Sequence, residues 1–115
     1  MALVYIAGPY TNPDPVDNTR VATEAGMAVH ERTGAGVIIP HLSLLAHAMF
    51  PRDIDYWYRY DLVVIDHCTH LLRLDGASTG ADNEVEHAYS RGVPVYKDID
   101  ELVADLQADL HEDNQ

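Results

Sequence analysis

Ser78-Thr79-Gly80-Ala81-Asp82-Asn83-Glu84 sets a hydroxyl, a glycine and a carboxylate across a turn that leads into a helix. Backbone N–H groups in a first helical turn have no intrahelical acceptor. Together with the Ser78 hydroxyl they can cradle a phosphate or sugar oxygen while Glu84 serves as nucleophile or base. A plainer reading fits the same residues: Thr79 and Asp82 satisfy a capping-box pattern, and acids are favoured in any first helical turn. Tyr5-Ile6-Ala7-Gly8-Pro9-Tyr10 is a second candidate. A glycine at position 8 lets a ligand approach the backbone closely, and Tyr5 either points into a cleft or packs as an ordinary strand tyrosine. Asp61, in Tyr60-Asp61-Leu62-Val63-Val64-Ile65, is the third, standing either at a cleft edge or in solvent.

The elements that must position these groups alternate in type. Leu3 to Ala7 is a short apolar run stopped by Gly8-Pro9, as suits a strand buried on both faces. Asp14-Pro15-Val16-Asp17 supplies an N-cap, a proline at the first helical position and an acid in the first turn. Val21, Ala22, Ala25, Ala28 and Val29 recur at helical spacing, Gly34 ends that helix, and Val37-Ile38-Ile39 is a second strand. A short helix is expected within His41 to Phe50, broken by Pro51, and another over about Ile54 to Asp66. Leu71 to Leu74 reads as a third strand, Ala81 to Arg91 as a helix closed by Gly92, and Val93 to Tyr96 as a fourth strand. The last helix has Asp98 and Glu101 for capping and Ile99, Leu102, Val103, Leu106 and Leu110 on one apolar face. This predicts a single-domain α/β fold over residues 1–110, a doubly wound parallel sheet of about four to five strands, with a frayed acidic tail over residues 111–115. Ligands in such sheets bind beyond the carboxyl ends of the strands, where Gly8 to Pro13 and Asp75 to Gly80 converge if strands one and three flank the switch point.

Seven basic against nineteen acidic side chains give a net charge of −12, with Lys97 the only lysine, so nucleic-acid polymers are excluded as partners. One cysteine, Cys68, permits no intramolecular disulfide and no redox pair. Met1 leads straight into the first apolar run, so neither a signal peptide nor a membrane span is expected, and a soluble, cytoplasmic protein is. His41 and His47 are near Asp53 and Asp55 in sequence but form no compact ligand motif, so no metal is expected. Tyr56, Trp57, Tyr58 and Tyr60 either line a base pocket or form core and subunit interface.

In combination, Tyr5-x-Ala7-Gly8-Pro9, Pro40-His41 after the second strand, Trp57 followed by Asp61, and Ser78-x-Gly80-x-x-x-Glu84-x-x-x-Ala88 before Gly92-x-Pro94 resemble the nucleoside 2-deoxyribosyltransferase superfamily. The likeness covers about residues 3 to 96. That superfamily holds transferases that exchange bases and N-glycosidases that hydrolyse nucleoside 5′-monophosphates. The resemblance implies a flavodoxin-like fold and a retaining double displacement without cofactor or metal. In it Glu84 attacks C1′, Asp61 assists departure of the base, and Tyr5 orients the glutamate. It implies further that Gly8, Pro9, Tyr10, Ser78 and Gly80 bind a small nucleoside or nucleotide, and that the protein is a homodimer or higher homo-oligomer. A serine at position 78, where nucleoside-using relatives carry an aspartate, favours a nucleoside 5′-monophosphate, because a hydroxyl donates to phosphate and a carboxylate repels it. The first loop departs from the hydrolase pattern, leaving Thr11, Asn12 and Arg20 as its donors. Base exchange between deoxyribonucleosides and a non-catalytic nucleotide-binding module stay open as alternatives.

Overall fold

Four strands, β1 (Leu3–Ala7), β2 (Gly36–Ile38), β3 (His70–Arg73) and β4 (Val95–Tyr96), pair in parallel in the computed structural model, which describes residues 1–113. Their order is β2-β1-β3-β4. The chain therefore moves outward from β1 to β2, then crosses to the other side of β1 for β3, and the reversal is at the β1/β3 junction. Helices α1 (Pro15–Thr33), α2 (Leu44–Met49), α3 (Ile54–Asp66), α4 (Thr79–Ser90) and α5 (Ile99–Asp113) make the connections, with a 3₁₀ turn over Pro40–Ser43.

Side-chain alternation along β1 sorts the core into two halves. Val4 and Ile6, with Leu72 of β3, pack under Ala22 and Val29 of α1 and Leu102 and Leu106 of α5. Tyr5 and Ala7, with Leu71, pack under Ile65 of α3 and Ala81 and Ala88 of α4. Both faces are covered, as the apolar runs predict for a parallel sheet. No helix among the described residues is long and apolar enough to cross a membrane.

Local signals explain most boundaries. Asp14 caps α1 by accepting from the Val16 N–H at 3.0 Å, and Gly34 closes it in a left-handed conformation with φ 77°. The buried seam of α1 is Ala22, Gly26 and Val29, while Val21 faces solvent, so the helix is rotated from the expected face. Gly26 explains the rotation: a Cβ there would stand 2.8 Å from Ile39 Cδ1, so the absence of a side chain lets α1 settle closely over the sheet. β4 is limited to Val95–Tyr96, and α4 starts at Thr79 rather than Ala81 because Ser78 takes the cap. Helix α5 continues to Asp113, three residues into the segment expected to fray, since no glycine or proline interrupts it there. The rest of that segment, residues 114–115, lies outside the described residues.

Candidate active site

Tyr5 sits at the middle of β1, paired with Ile38 on one side and Leu71 on the other, with its ring wholly buried on the α3/α4 side of the sheet. Its hydroxyl donates to Glu84 Oε2. Glu84 lies between Ala81 and Ala88 on the buried face of α4, spaced i, i+3, i+7. A charge-bearing residue on that apolar seam is unusual, and Glu84, at 7% exposure, is the one carboxylate buried to this degree among the described residues. Asp61, on α3, lines the same cleft.

That cleft encloses about 670 Å³ at the carboxyl ends of β1 and β3, the switch point of the sheet. The first loop supplies Gly8 to Asn12, the second Ala77 to Gly80, and α3 supplies Trp57, Tyr58 and Asp61, with Glu84 among the lining residues. The volume suits a small-molecule ligand.

Burial dominates the electrostatics. It pushes the Glu84 carboxyl up to about 7, reinforced by the nearby charge of Asp61 and opposed by the Tyr5 hydrogen bond and the Arg73 charge. Burial likewise pushes Asp61 up to about 6, against the stabilising Tyr5 hydroxyl. Tyr5 is shifted the same way, by burial and then by the two carboxylates, so its phenol stays protonated and remains a donor. Two carboxyls so placed titrate as a pair, which carries one proton between about pH 6 and about pH 7.

Each loop that lines the cleft is held in place. Asn18 Nδ2 donates to the carbonyls of Tyr10 and Asn12, both at 3.0 Å. His41, 4% exposed, donates from Nε2 to the Pro9 carbonyl at 2.9 Å, and burial lowers its basicity against the pull of that hydrogen bond. Ser78 Oγ accepts from the Ala81 N–H at 3.1 Å, which leaves its own proton to donate elsewhere. Thr79 is therefore not the cap, and Asp82, its expected capping-box partner, instead takes Arg73 Nη2 at 3.0 Å.

Several expectations need correction. Gly8 lines the cleft, yet the room left by its absent Cβ is taken by Leu74, whose Cβ would be 3.1 Å away, so close packing accounts for that glycine. Gly80 also lines the cleft, and a Cβ added there would meet Ser78 Oγ only at 4.0 Å, so packing does not account for this glycine. Arg20 is away from the cleft, paired on the surface of α1 with Asp17 at 3.3 Å and Glu24 at 3.0 Å. The guanidinium that does line the cleft is Arg52, on the α2–α3 connection, which no motif marked. Trp57 and Tyr58 line the cleft, whereas Tyr56 and Tyr60 stay exposed and touch Trp57 edge-on, with ring centroids 5.2 and 5.8 Å from it. His47 also lines the cleft, while Asp53 is spent capping α3. Among the described residues no three His, Cys, Asp or Glu side chains gather as a metal site requires.

This architecture has a counterpart among solved structures. The 2-deoxyribosyltransferase of Bacillus psychrosaccharolyticus superposes with a TM-score of 0.56 at 21% identity, over 82% of this chain and 69% of that one. The two chains share a fold. The arrangement expected from the motifs is thus the one found, a doubly wound α/β sheet of the deoxyribosyltransferase kind. No protein-family model and no curated protein sequence matches the chain.

Proposed function

We propose that the protein is a cytoplasmic N-glycosidase that cleaves the base–sugar bond of a nucleoside 5′-monophosphate through a glycosyl ester on Glu84. One observation carries this reading: a carboxylate buried on an apolar helical seam, hydrogen-bonded by Tyr5 and sharing a cleft with a second raised carboxyl, Asp61. Buried, perturbed carboxyl pairs in clefts mark acid–base and nucleophilic chemistry.

The steps balance. The Glu84 carboxylate forms a bond to C1′ as the N-glycosidic bond breaks, and the Asp61 proton passes to the departing base nitrogen. Asp61 then takes a proton from water, whose oxygen attacks C1′ and frees Glu84. Without substrate the shared proton favours Glu84 over Asp61, since the two are raised, chiefly by burial, to about 7 and about 6. A base stacked beside Trp57 and Tyr58 covers Asp61 and removes its remaining water, which raises that carboxyl further. Substrate thus drives the proton to Asp61, where leaving-group departure needs it.

Support for a phosphate comes from the free proton of the Ser78 hydroxyl and the first-turn N–H groups of α4. The likeness to a 2-deoxyribosyltransferase favours a second reading, base exchange between deoxyribonucleosides. The notion of a homo-oligomer draws support from Leu42, Leu45, Met49, Phe50, Ile54 and Val63, all well exposed along one segment, which a second copy would cover. A monomeric mass in solution would refute that part.

The test is a panel of nucleosides and monophosphates assayed for released base, with Glu84→Ala and Glu84→Gln as controls. Free base from a monophosphate with no acceptor present, lost in both variants, is expected. Near-normal turnover in either variant sinks the Glu84 assignment. A strict need for an acceptor base transfers the case to exchange, and tight binding without base release leaves a nucleotide-binding module.

A further inference from the structure

Arg73 ends β3 as a charged residue whose side chain is only 11% exposed. One guanidinium serves three acceptors: the Leu74 carbonyl, the Gly76 carbonyl at 2.9 Å and Asp82 Oδ1 at 3.0 Å. Two of these lie in the β3–α4 connection and the third in the first turn of α4, so the fork spans the segment that carries Ser78 and Gly80. The same clasp reaches the other ligand loop. Leu74 N–H donates to the Ala7 carbonyl at 2.7 Å, and Gly76, at φ +117°, is so close to Pro9 that a Cβ would lie 2.7 Å from Pro9 Cγ. Arg73 also acts on Glu84 through space: its charge opposes the upward push of burial on that carboxyl without any hydrogen bond between them.

We infer that Arg73 is the positioning residue of this site: it clasps the connection that leads to Ser78 onto the first turn of α4 and brings a fixed positive charge to bear on Glu84. Lysine has the charge but not the planar fork that meets three divergent acceptors, and glutamine has amide donors but no charge, so the two substitutions separate the roles. The catalytic part of this inference rests on Glu84 being the nucleophile; the positional part does not.

The experiment follows the Glu84 carboxyl by carbon-13 NMR titration, assigned with Glu84→Gln, in the parent protein, Arg73→Lys and Arg73→Gln. Amide exchange over residues 76–81 and kcat and KM for base release are measured alongside. In Arg73→Gln the Glu84 midpoint is expected to rise by about 0.5 to 1 pH unit, as loss of a nearby opposite charge dictates, while Arg73→Lys holds it near the parent value. Both variants should speed exchange of these amides at least ~10-fold, as a loosened loop requires, and raise KM. An unmoved midpoint in Arg73→Gln, or a displaced one in Arg73→Lys, overturns the charge role. Unchanged exchange in both overturns the clasp. If the parent protein releases no base, the proposed function falls, while titration and exchange still decide the role of Arg73.

Discussion

Replacing Glu84 by glutamine should make the protein more stable, by a margin that grows as pH rises from about 4.5 to about 7 and is constant above that. Burial raises the Glu84 carboxyl from an ordinary 4.5 to about 7. The folded state therefore holds this proton more tightly than the unfolded chain. Between those two values the native protein binds more protons, so the Glu84 contribution to stability falls as pH rises through the window and is flat beyond it. Keeping the ionised side chain in the folded protein above pH 7 costs on the order of 3 kcal/mol. Glutamine has nearly the same volume, still offers an oxygen to the Tyr5 hydroxyl and does not titrate. The variant should match the parent near pH 4.5 and exceed it by about 2 to 3 kcal/mol near pH 8.5, a rise of roughly 10 °C in Tm for a chain of this size. Circular-dichroism melts of both proteins across that range, in moderate salt so that the acidic surface weighs equally on each, make the measurement. A gap that does not change with pH, or a glutamine variant less stable at pH 8.5, would refute the reasoning, for either shows that Glu84 ionises at no burial cost. The same substitution is expected to end base release, so gain of stability and loss of chemistry come from one atom exchange.

Base release should follow a bell-shaped pH profile with its limbs near 6 and 7, because one proton must be shared between Asp61 and Glu84; a single-sided profile would remove one of them from the chemistry. Ser78→Asp keeps an oxygen for the Ala81 N–H but adds a negative charge, so KM for a monophosphate should rise at least ~10-fold while a free nucleoside is little affected. Equal effects on both would argue against a phosphate at Ser78. Gly76→Ala places a Cβ at φ +117° and 2.7 Å from Pro9 Cγ. It should cost about 1 to 3 kcal/mol in thermal or urea unfolding, and a cost near zero would mean that the two loops are not locked together.

Much of this design is legible in the residues because local signals and burial agree. Asp14, Pro15 and Gly34 mark α1 by chemistry that depends on no distant contact, and the short apolar run from Leu3 to Ala7, stopped by Gly8-Pro9, suits a strand covered on both sides. Tyr5 and Glu84 stood out through the company of motifs, whereas their hydrogen bond spans 79 positions in sequence and exists only once β1 and α4 are packed. Tertiary packing also decides what spacing cannot. Arg73 reads as the polar end of a strand until its three acceptors are in place. Gly26, not the alanines beside it, sets the buried face of α1 because Ile39 comes within 2.8 Å of where a Cβ would be. Arg20 looked available to a phosphate, but its i−3 and i+4 acids claim it locally.

The alternation along β1 carries one more consequence. Val4 and Ile6 serve the half of the core whose buried residues are all aliphatic, and Tyr5 and Ala7 serve the half that houses the cleft. A slip of β1 by a single position would exchange the two sets, driving a phenol into the aliphatic layer and leaving the Glu84 carboxylate facing the side chain of Val4 or Ile6. Misregistered folding intermediates are thus penalised twice, once for each face. The tyrosine that serves the chemistry also proofreads the strand on which it is carried.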